Sequence, residues 1–252
     1  MLDRSVFIRP IAHRGLHDAS QGVIENSGAA FEAAIVNGYG IECDLQPAAD
    51  GTPVVFHDAA LGRLVDAPGL TTDYDGADLQ RLTYRSSRSP QQILSLAALL
   101  ELVAGKVPLL IEVKSDWKAP DERFIAAIAA AIKPYRGPAA IMSFDPTRVA
   151  ALKTMLPDVP RGIVSGLYKS DWLPADAEPE LAFRLSHLLA SRPAEPHFFA
   201  YRIDDLPTPV TRFVREGLGL PLFSWTVRTP EALAKAREWA DAPIFEGLAT
   251  LP

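Results

Sequence analysis

The stretch Ile41-Glu-Cys-Asp-Leu-Gln-Pro-Ala-Ala-Asp-Gly-Thr-Pro-Val-Val-Phe-His-Asp58 decides how the rest of the chain is read. It contains two apolar runs, 41–45 and 54–57, separated by a short link that holds Asp50-Gly51. Two parallel strands need a crossover of about a dozen residues or more, so this link cannot connect a parallel pair. Asp-Gly is a common pair in tight hairpin turns. The pattern therefore predicts an antiparallel hairpin with Asp50 and Gly51 as the two residues of a type I′ turn. In that register Ala49 faces Thr52 and Asp44 faces His57.

Working outward, nine strand-like runs lie at 11–15, 41–45, 54–57, 108–114, 139–144, 161–165, 198–203, 221–227 and 243–246. Helical patterns fall between them near 27–37, 95–105, 120–133, 146–155, 180–190, 207–217 and 230–240. The first helix has an apolar stripe of Ala30, Phe31, Ala34 and Ile35, with Ser27 as its cap and Gly38 as its stop. Such alternation implies parallel strands covered by helices. Setting aside the hairpin's return strand leaves eight. The fold class expected is α/β, a (β/α)8 TIM barrel with a β-hairpin after strand 2 and a small insertion before strand 3. Residues 1–252 read as one barrel domain, and the irregular, mostly polar 59–93 as an insertion on the active-site side. A second loop, 166–179, carries Tyr168, Lys169 and Trp172.

Composition narrows the function. The chain has 252 residues, 48% of them hydrophobic, and its 25 basic against 31 acidic residues leave a net charge of −6. An acidic balance argues against a nucleic-acid partner. Cys43 is the single cysteine, which excludes a disulfide framework and a cysteine-based zinc site. No run approaches the ~18 apolar residues of a membrane span. The expectation is a cytoplasmic protein with no stable membrane association, acting on a small molecule; a homo-oligomer is compatible with the sequence.

The polar residues at strand ends carry the chemistry. Glu42 and Asp44 are two apart, as are Glu112 and Lys114, so in a strand each pair shares one face. Glu42, Asp44 and Glu112 offer three oxygen ligands suited to a hard divalent cation, Mg²⁺ or Ca²⁺. Clustered carboxylates also serve as structural ion pairs, but two histidines at neighbouring strand ends favour a reactive site. His13 and His57 suit a general acid–base pair. Arg14 and Lys114 suit contact with phosphate oxygens. Trp225 is a candidate pocket wall, while His17, His187 and His197 have no comparable setting and read as structural.

Taken together, His13-Arg14-Gly15, Glu25-Asn26-Ser27, Phe31 with Ala34 and Gly38, Glu42-x-Asp44, Asp50-Gly51, His57-Asp58, Leu61 with Arg63, Glu112-x-Lys114, Ser143-Phe144 and Trp225-Thr226-Val227 resemble the glycerophosphodiester phosphodiesterase family of phospholipase C-like barrels. The resemblance spans nearly the whole chain. It implies metal-dependent hydrolysis of glycerophosphodiesters to glycerol phosphate and an alcohol, with His13 and His57 as acid and base, Glu42, Asp44 and Glu112 holding the cation, and Arg14 and Lys114 facing the phosphate. It also places Glu25 and Asn26 near the site. Two features depart from the family's pattern. The last strand reads Ile244-Phe-Glu-Gly247 where the family has a Thr-Asp motif, and 166–179 matches nothing in it. The alternatives are a phospholipase D-like enzyme that cleaves lysolipids to a cyclic phosphate, which an apolar rim on the insertion would favour, and a catalytically silent phosphodiester-binding barrel.

Overall fold

The computed structural model describes residues 1–168, 172–174 and 177–248; Lys169 of the second loop lies outside the described residues. Among the described residues there are nine strands: β1 (Ile11–Ala12), β2 (Gly40–Pro47), β3 (Pro53–Val55), β4 (Leu109–Val113), β5 (Ala139–Ser143), β6 (Arg161–Ser165), β7 (Phe198–Arg202), β8 (Leu222–Val227) and β9 (Ala242–Phe245). They follow the sheet order β1-β9-β8-β7-β6-β5-β4-β2-β3, and β1 also pairs with β2. Eight strands thus form the ring of a (β/α)8 barrel, and β3 is appended to β2. Among the described residues no helix is long and apolar enough to cross a membrane.

The chain divides into two compact units, one of Ala12–Lys114 with Pro120–Ala139, the other of Met1–Ile11, Ser115–Ala119 and Ala140–Pro252. In the first, β2 and β4 run parallel in a register that sets Asp44 opposite Glu112 and Cys43 opposite Ile111. Every β2 residue but Pro47 is buried, as expected of a strand covered on both faces. Helix Gly28–Val36 begins at Ser27, whose hydroxyl accepts from the Ala30 N–H, and buries Ala30, Phe31 and Ala34. Helix Glu122–Ile132 is capped by Asp121 and buries Phe124, Ile125, Ile128, Ala129 and Ile132.

In the second unit β6, β7, β8 and β9 are parallel, with Gly162 opposite Phe198, Phe199 opposite Leu222 and Phe223 opposite Ala242. Helices Pro146–Met155 and Pro230–Trp239 each start with proline behind a capping side chain, Asp145 and Thr229. Proline suits that first position because its missing N–H has no intrahelical partner there. The expected helix at 207–217 is instead a single α-turn, Pro209–Arg212, followed by a wider turn to Gly217.

The hairpin forms, but one residue away from the expected register. Leu45 pairs with Val55, Gln46 with Val54 and Pro47 with Pro53. Asp44 therefore faces Phe56, whose N–H donates to the Asp44 carbonyl at 3.0 Å. Ala48 N–H bonds the Thr52 carbonyl, which leaves Ala49, Asp50 and Gly51 as a three-residue loop. Only Gly51 takes positive φ, at 85°, so the turn is not type I′. The cause is the Asp50 side chain, which accepts from Thr52 N–H at 2.9 Å and Gly76 N–H at 3.3 Å. An aspartate held by its own downstream backbone keeps the ordinary turn conformation and passes the left-handed position to the glycine.

The segment after the hairpin is built from short turns around a small apolar cluster. Leu61, Val65, Leu79, Tyr84 and Ile93 pack with Val54 and Phe56. Its polar sequence thus still packs most of its large apolar residues inward, with Leu70 left 44% exposed.

A Cβ on Gly51 would lie 2.8 Å from the Arg123 Cβ and 3.2 Å from its carbonyl carbon. Gly51→Val therefore combines left-handed strain with a clash against helix Glu122–Ile132. A loss of about 1–3 kcal/mol is expected from the strain alone, and the urea midpoint should fall accordingly. An unchanged midpoint would contradict this turn.

Candidate active site

Nine of the ten residues singled out from the sequence gather in the first unit. His13 and Arg14 directly follow β1, Glu42 and Asp44 lie in β2, Glu112 lies in β4 with Lys114 just beyond it, and His57 follows β3. Glu25 and Asn26 come from the turn before helix Gly28–Val36. Glu42 and Asp44, expected at the end of their strand, are third and fifth of the eight residues of β2, because the hairpin ladder extends the strand to Pro47; the sheet holds their side chains rigidly.

The turn after β1 is tightly determined. Arg14 sits at φ 55° and Gly15 at 79°. A Cβ at Gly15 would lie 2.8 Å from the Ala30 carbonyl carbon, so only glycine fits. The Arg14 amide donates to Glu42 Oε2 at 3.0 Å, and its Nη1 to Glu25 Oε1 at 2.8 Å. Its Nε is buried with no hydrogen-bond acceptor, 3.3 Å from Asp44 Oδ2. His13 Nε2 stands 3.9 Å from Glu42 Oε2. Asn26, fully buried and also at φ 55°, donates to Asp44 Oδ2 at 2.8 Å and accepts from the Asp44 amide at 3.3 Å.

Ligand oxygens of Glu42, Asp44 and Glu112 lie within 4.8 Å of one another, and all three residues are buried. Their charges are partly balanced by Lys114, whose Nζ is 2.7 Å from Asp44 Oδ1 and 2.6 Å from Glu112 Oε1. Burial and the carboxylates of Asp44 and Glu112 push Glu42 well above the usual carboxylate range. Burial likewise raises Glu112, against the pull of Lys114. Asp44 goes the other way: burial would raise it, but Lys114, His57 and Arg14 together hold it down. Glu42 Oε1 is buried with no hydrogen-bond partner. A buried carboxylate oxygen without a donor, in an all-oxygen set repelled by its own charges, is a fitting ligand for a hard divalent cation.

His57 is held at both ends. Its carbonyl accepts from Gln46 Nε2 at 2.8 Å, and Nδ1 lies 2.7 Å from Asp58 Oδ1. Burial, with Lys114 and Arg14, lowers its pKa, which Asp44 opposes. Asp58 is ionised below the usual range by bonds to Arg63 and His57, which outweigh its burial. An ionised carboxylate only accepts, so Nδ1 carries the hydrogen and Nε2 is the nitrogen open to exchange with a ligand.

Trp225 belongs to the second unit. It lies in β8, half-buried, with its indole N–H donating to the Ala200 carbonyl at 3.2 Å. Phe144 meets it edge-on at 5.2 Å and Trp172 lies 5.4 Å away. Tyr168 and Trp117 extend this aromatic cluster. The histidines read as structural include His187, stacked on Phe183, and His197, whose Nδ1 accepts from the Arg161 amide.

Asp58 and Arg63 entered the sequence reading only as parts of the family pattern, with no role of their own; the signal for Asp58 was its adjacency to His57. The reach of Arg63 to Glu25, 38 positions away, leaves no local pattern.

A family model for the glycerophosphoryl diester phosphodiesterase family matches residues 13–246. A glycerophosphodiester phosphodiesterase of Caldanaerobacter subterraneus is 34% identical over 127 residues, covering 47% of this chain and 51% of that protein. Glycerophosphodiester phosphodiesterase 1 of Homo sapiens is 39% identical over 77 residues, covering 30% and 22%. The matches thus span about half or less of these relatives' lengths. Among solved structures, a phosphodiesterase of Oleispira antarctica in complex with its product sn-glycerol-3-phosphate has a TM-score of 0.72 at 23% identity, covering 94% of this chain and 92% of the other. A glycerophosphodiester phosphodiesterase of Thermotoga maritima gives 0.69 at 23%, covering 94% and 93%. At that identity the two structures establish a shared fold.

Lys114→Met removes the cation nearest two buried carboxylates. In chelated protein the loss should be about 3–5 kcal/mol, as for other broken buried pairs. Millimolar Mg²⁺ or Ca²⁺ should recover a large part of the lost melting temperature. A melting temperature equal to wild type in chelator would show that the pair carries no such weight.

Proposed function

The chain belongs to the glycerophosphoryl diester phosphodiesterase family, and on that premise we propose that it hydrolyses glycerophosphodiesters to glycerol phosphate and an alcohol. The observation that carries the reading is the pair His13 and His57 in the same compact unit as the Glu42, Asp44 and Glu112 triad. The product named for the Oleispira antarctica structure, sn-glycerol-3-phosphate, fits this substrate class.

Glu42, Asp44 and Glu112 would hold a divalent cation, Mg²⁺ or Ca²⁺, which when bound polarises a phosphoryl oxygen and screens the substrate's negative charge. The chain's own residues do the rest. Arg14 has donors left over from its bond to Glu25, and a guanidinium can engage two phosphate oxygens at once. Lys114 adds a point charge beside it. The nucleophile, water or the substrate's glycerol 2-hydroxyl, is weak at neutral pH and gains by losing its proton to a neutral imidazole as its oxygen bonds to phosphorus. The bond from phosphorus to the alcohol oxygen then breaks, and the second, charged imidazole protonates the departing alkoxide. With water as nucleophile this gives glycerol phosphate and the alcohol directly; with the 2-hydroxyl a cyclic phosphate forms first and water opens it.

The lysolipid alternative called for an apolar rim on 59–93. That segment turns Leu61, Val65, Leu79, Tyr84 and Ile93 inward, and the exposed Leu70 alone does not make an apolar rim. Trp225 is kept as a substrate-binding candidate from its motif, and a cytoplasmic location remains part of this reading.

Metal-reconstituted protein assayed against glycerophosphodiesters with choline, ethanolamine, glycerol and inositol as alcohol tests the reading. Turnover should vanish in chelator and return with Mg²⁺ or Ca²⁺. His13→Ala and His57→Ala should each cost on the order of 10²–10⁴ in rate, with strongly non-additive losses and with cation binding retained by calorimetry. Near-normal turnover in either variant would remove that histidine from the mechanism.

A further inference from the structure

Arg63 lies in a short turn after the hairpin, with its side chain 45% exposed, and takes no part in the chemistry derived above. Its guanidinium nevertheless makes three directed bonds to two different carboxylates. Nε donates to Asp58 Oδ2, Nη1 to Glu25 Oε2 at 3.0 Å and Nη2 to Glu25 Oε1 at 2.7 Å. Three of its five N–H donors are thereby engaged. The forked contact with Glu25 fixes the plane of the group, and the Nε bond then sets where Asp58 must stand.

Each carboxylate has a second partner of functional interest. Asp58 turns its other oxygen to His57 Nδ1 at 2.7 Å. Glu25 Oε1 also accepts from Arg14 Nη1 at 2.8 Å. One guanidinium thus connects the imidazole that follows β3 with the arginine that follows β1. We propose that Arg63 is a positioning residue: it clamps Asp58 against His57, so that Nδ1 keeps its hydrogen and Nε2 points to the substrate, and it holds Glu25 so that Arg14 stays aimed at the phosphate. This rests on the reading of His57 as an acid–base group.

Two simpler roles fit the geometry less well. A phosphate contact would need donors directed away from protein, whereas one edge of this fork is bound to Glu25 and the Nε is on Asp58. Simple charge neutralisation would not require a planar fork, and Glu25 already has Arg14. A lysine would neutralise equally but could not bridge both carboxylates in one plane.

The test uses Arg63→Met and Arg63→Lys in the full chain, with Asp58→Asn as the companion. In ¹⁵N-histidine spectra at pH 8, with and without Mg²⁺, wild-type His57 should show the Nδ1–H tautomer. Arg63→Met should lose that bias, and its kcat should fall about 10–100-fold, the usual worth of an outer partner that orients a working imidazole. KM should rise by less than kcat falls. Arg63→Lys should recover part of the rate but not all of it. The double variant with Asp58→Asn should be little slower than Asp58→Asn alone, because both changes release the same ring. An unchanged His57 signature in both Arg63 variants, with losses confined to melting temperature, would overturn the proposal, as would fully additive rate losses. If wild type turned over no glycerophosphodiester, the acid–base reading would fall instead; the tautomer measurement would still decide whether Arg63 holds the ring, since it needs no turnover.

Discussion

Three buried carboxylates standing side by side are the constraint on which the first unit depends. The β2–β4 register places Asp44 opposite Glu112, and Glu42 projects from the same strand. Left alone, such a group would repel itself and take up protons. The surrounding chain answers with cations and donors: Lys114 between Asp44 and Glu112, the Arg14 amide on Glu42, and Asn26 on Asp44. The left-handed backbone at Arg14 and Asn26 follows from this need, since each must turn sharply to bring its donors to the acids. What stays unbalanced is Glu42 Oε1, and that residue is where a divalent cation would have the most to offer.

The second constraint is how His57 reaches this group. A strand return of three residues, Pro53–Val55, carries it back beside β2, and Gln46 holds its backbone. The turn is a three-residue loop with Gly51 alone in the left-handed region because Asp50 binds its own downstream amides. The slip of one residue from the expected pairing puts Phe56 opposite Asp44. It leaves His57 beyond the ladder, where its orientation falls to side-chain partners. That is why Asp58 and Arg63 carry weight here that a strand-held histidine would not require.

The segment 59–93, irregular and mostly polar in sequence, closes an apolar cluster over Val54 and Phe56 and sends Arg63 to Glu25 and Asp58. The second unit holds its own concentration of side chains in Trp117, Phe144, Tyr168, Trp172 and Trp225. All five are half-buried and joined by a chain of ring contacts, with Trp117 attached through Tyr168.

The order of the strands, the eight-plus-one count, the cap at Ser27 and the placement of His13, Glu42, Asp44, His57, Glu112 and Lys114 on or just after strands were legible in the chain itself. Each depends on local properties: side-chain period along a strand, the length of a link, or the hydrogen-bonding reach of a residue to its near neighbours. The tertiary structure alone decided the hairpin register, the orphaned oxygen of Glu42 and the partners of Arg63. Those depend on which groups meet in the fold, as Arg63 meets Glu25 across 38 positions, and on charge balance among residues whose spacing in the chain carries no trace of their distance in the fold.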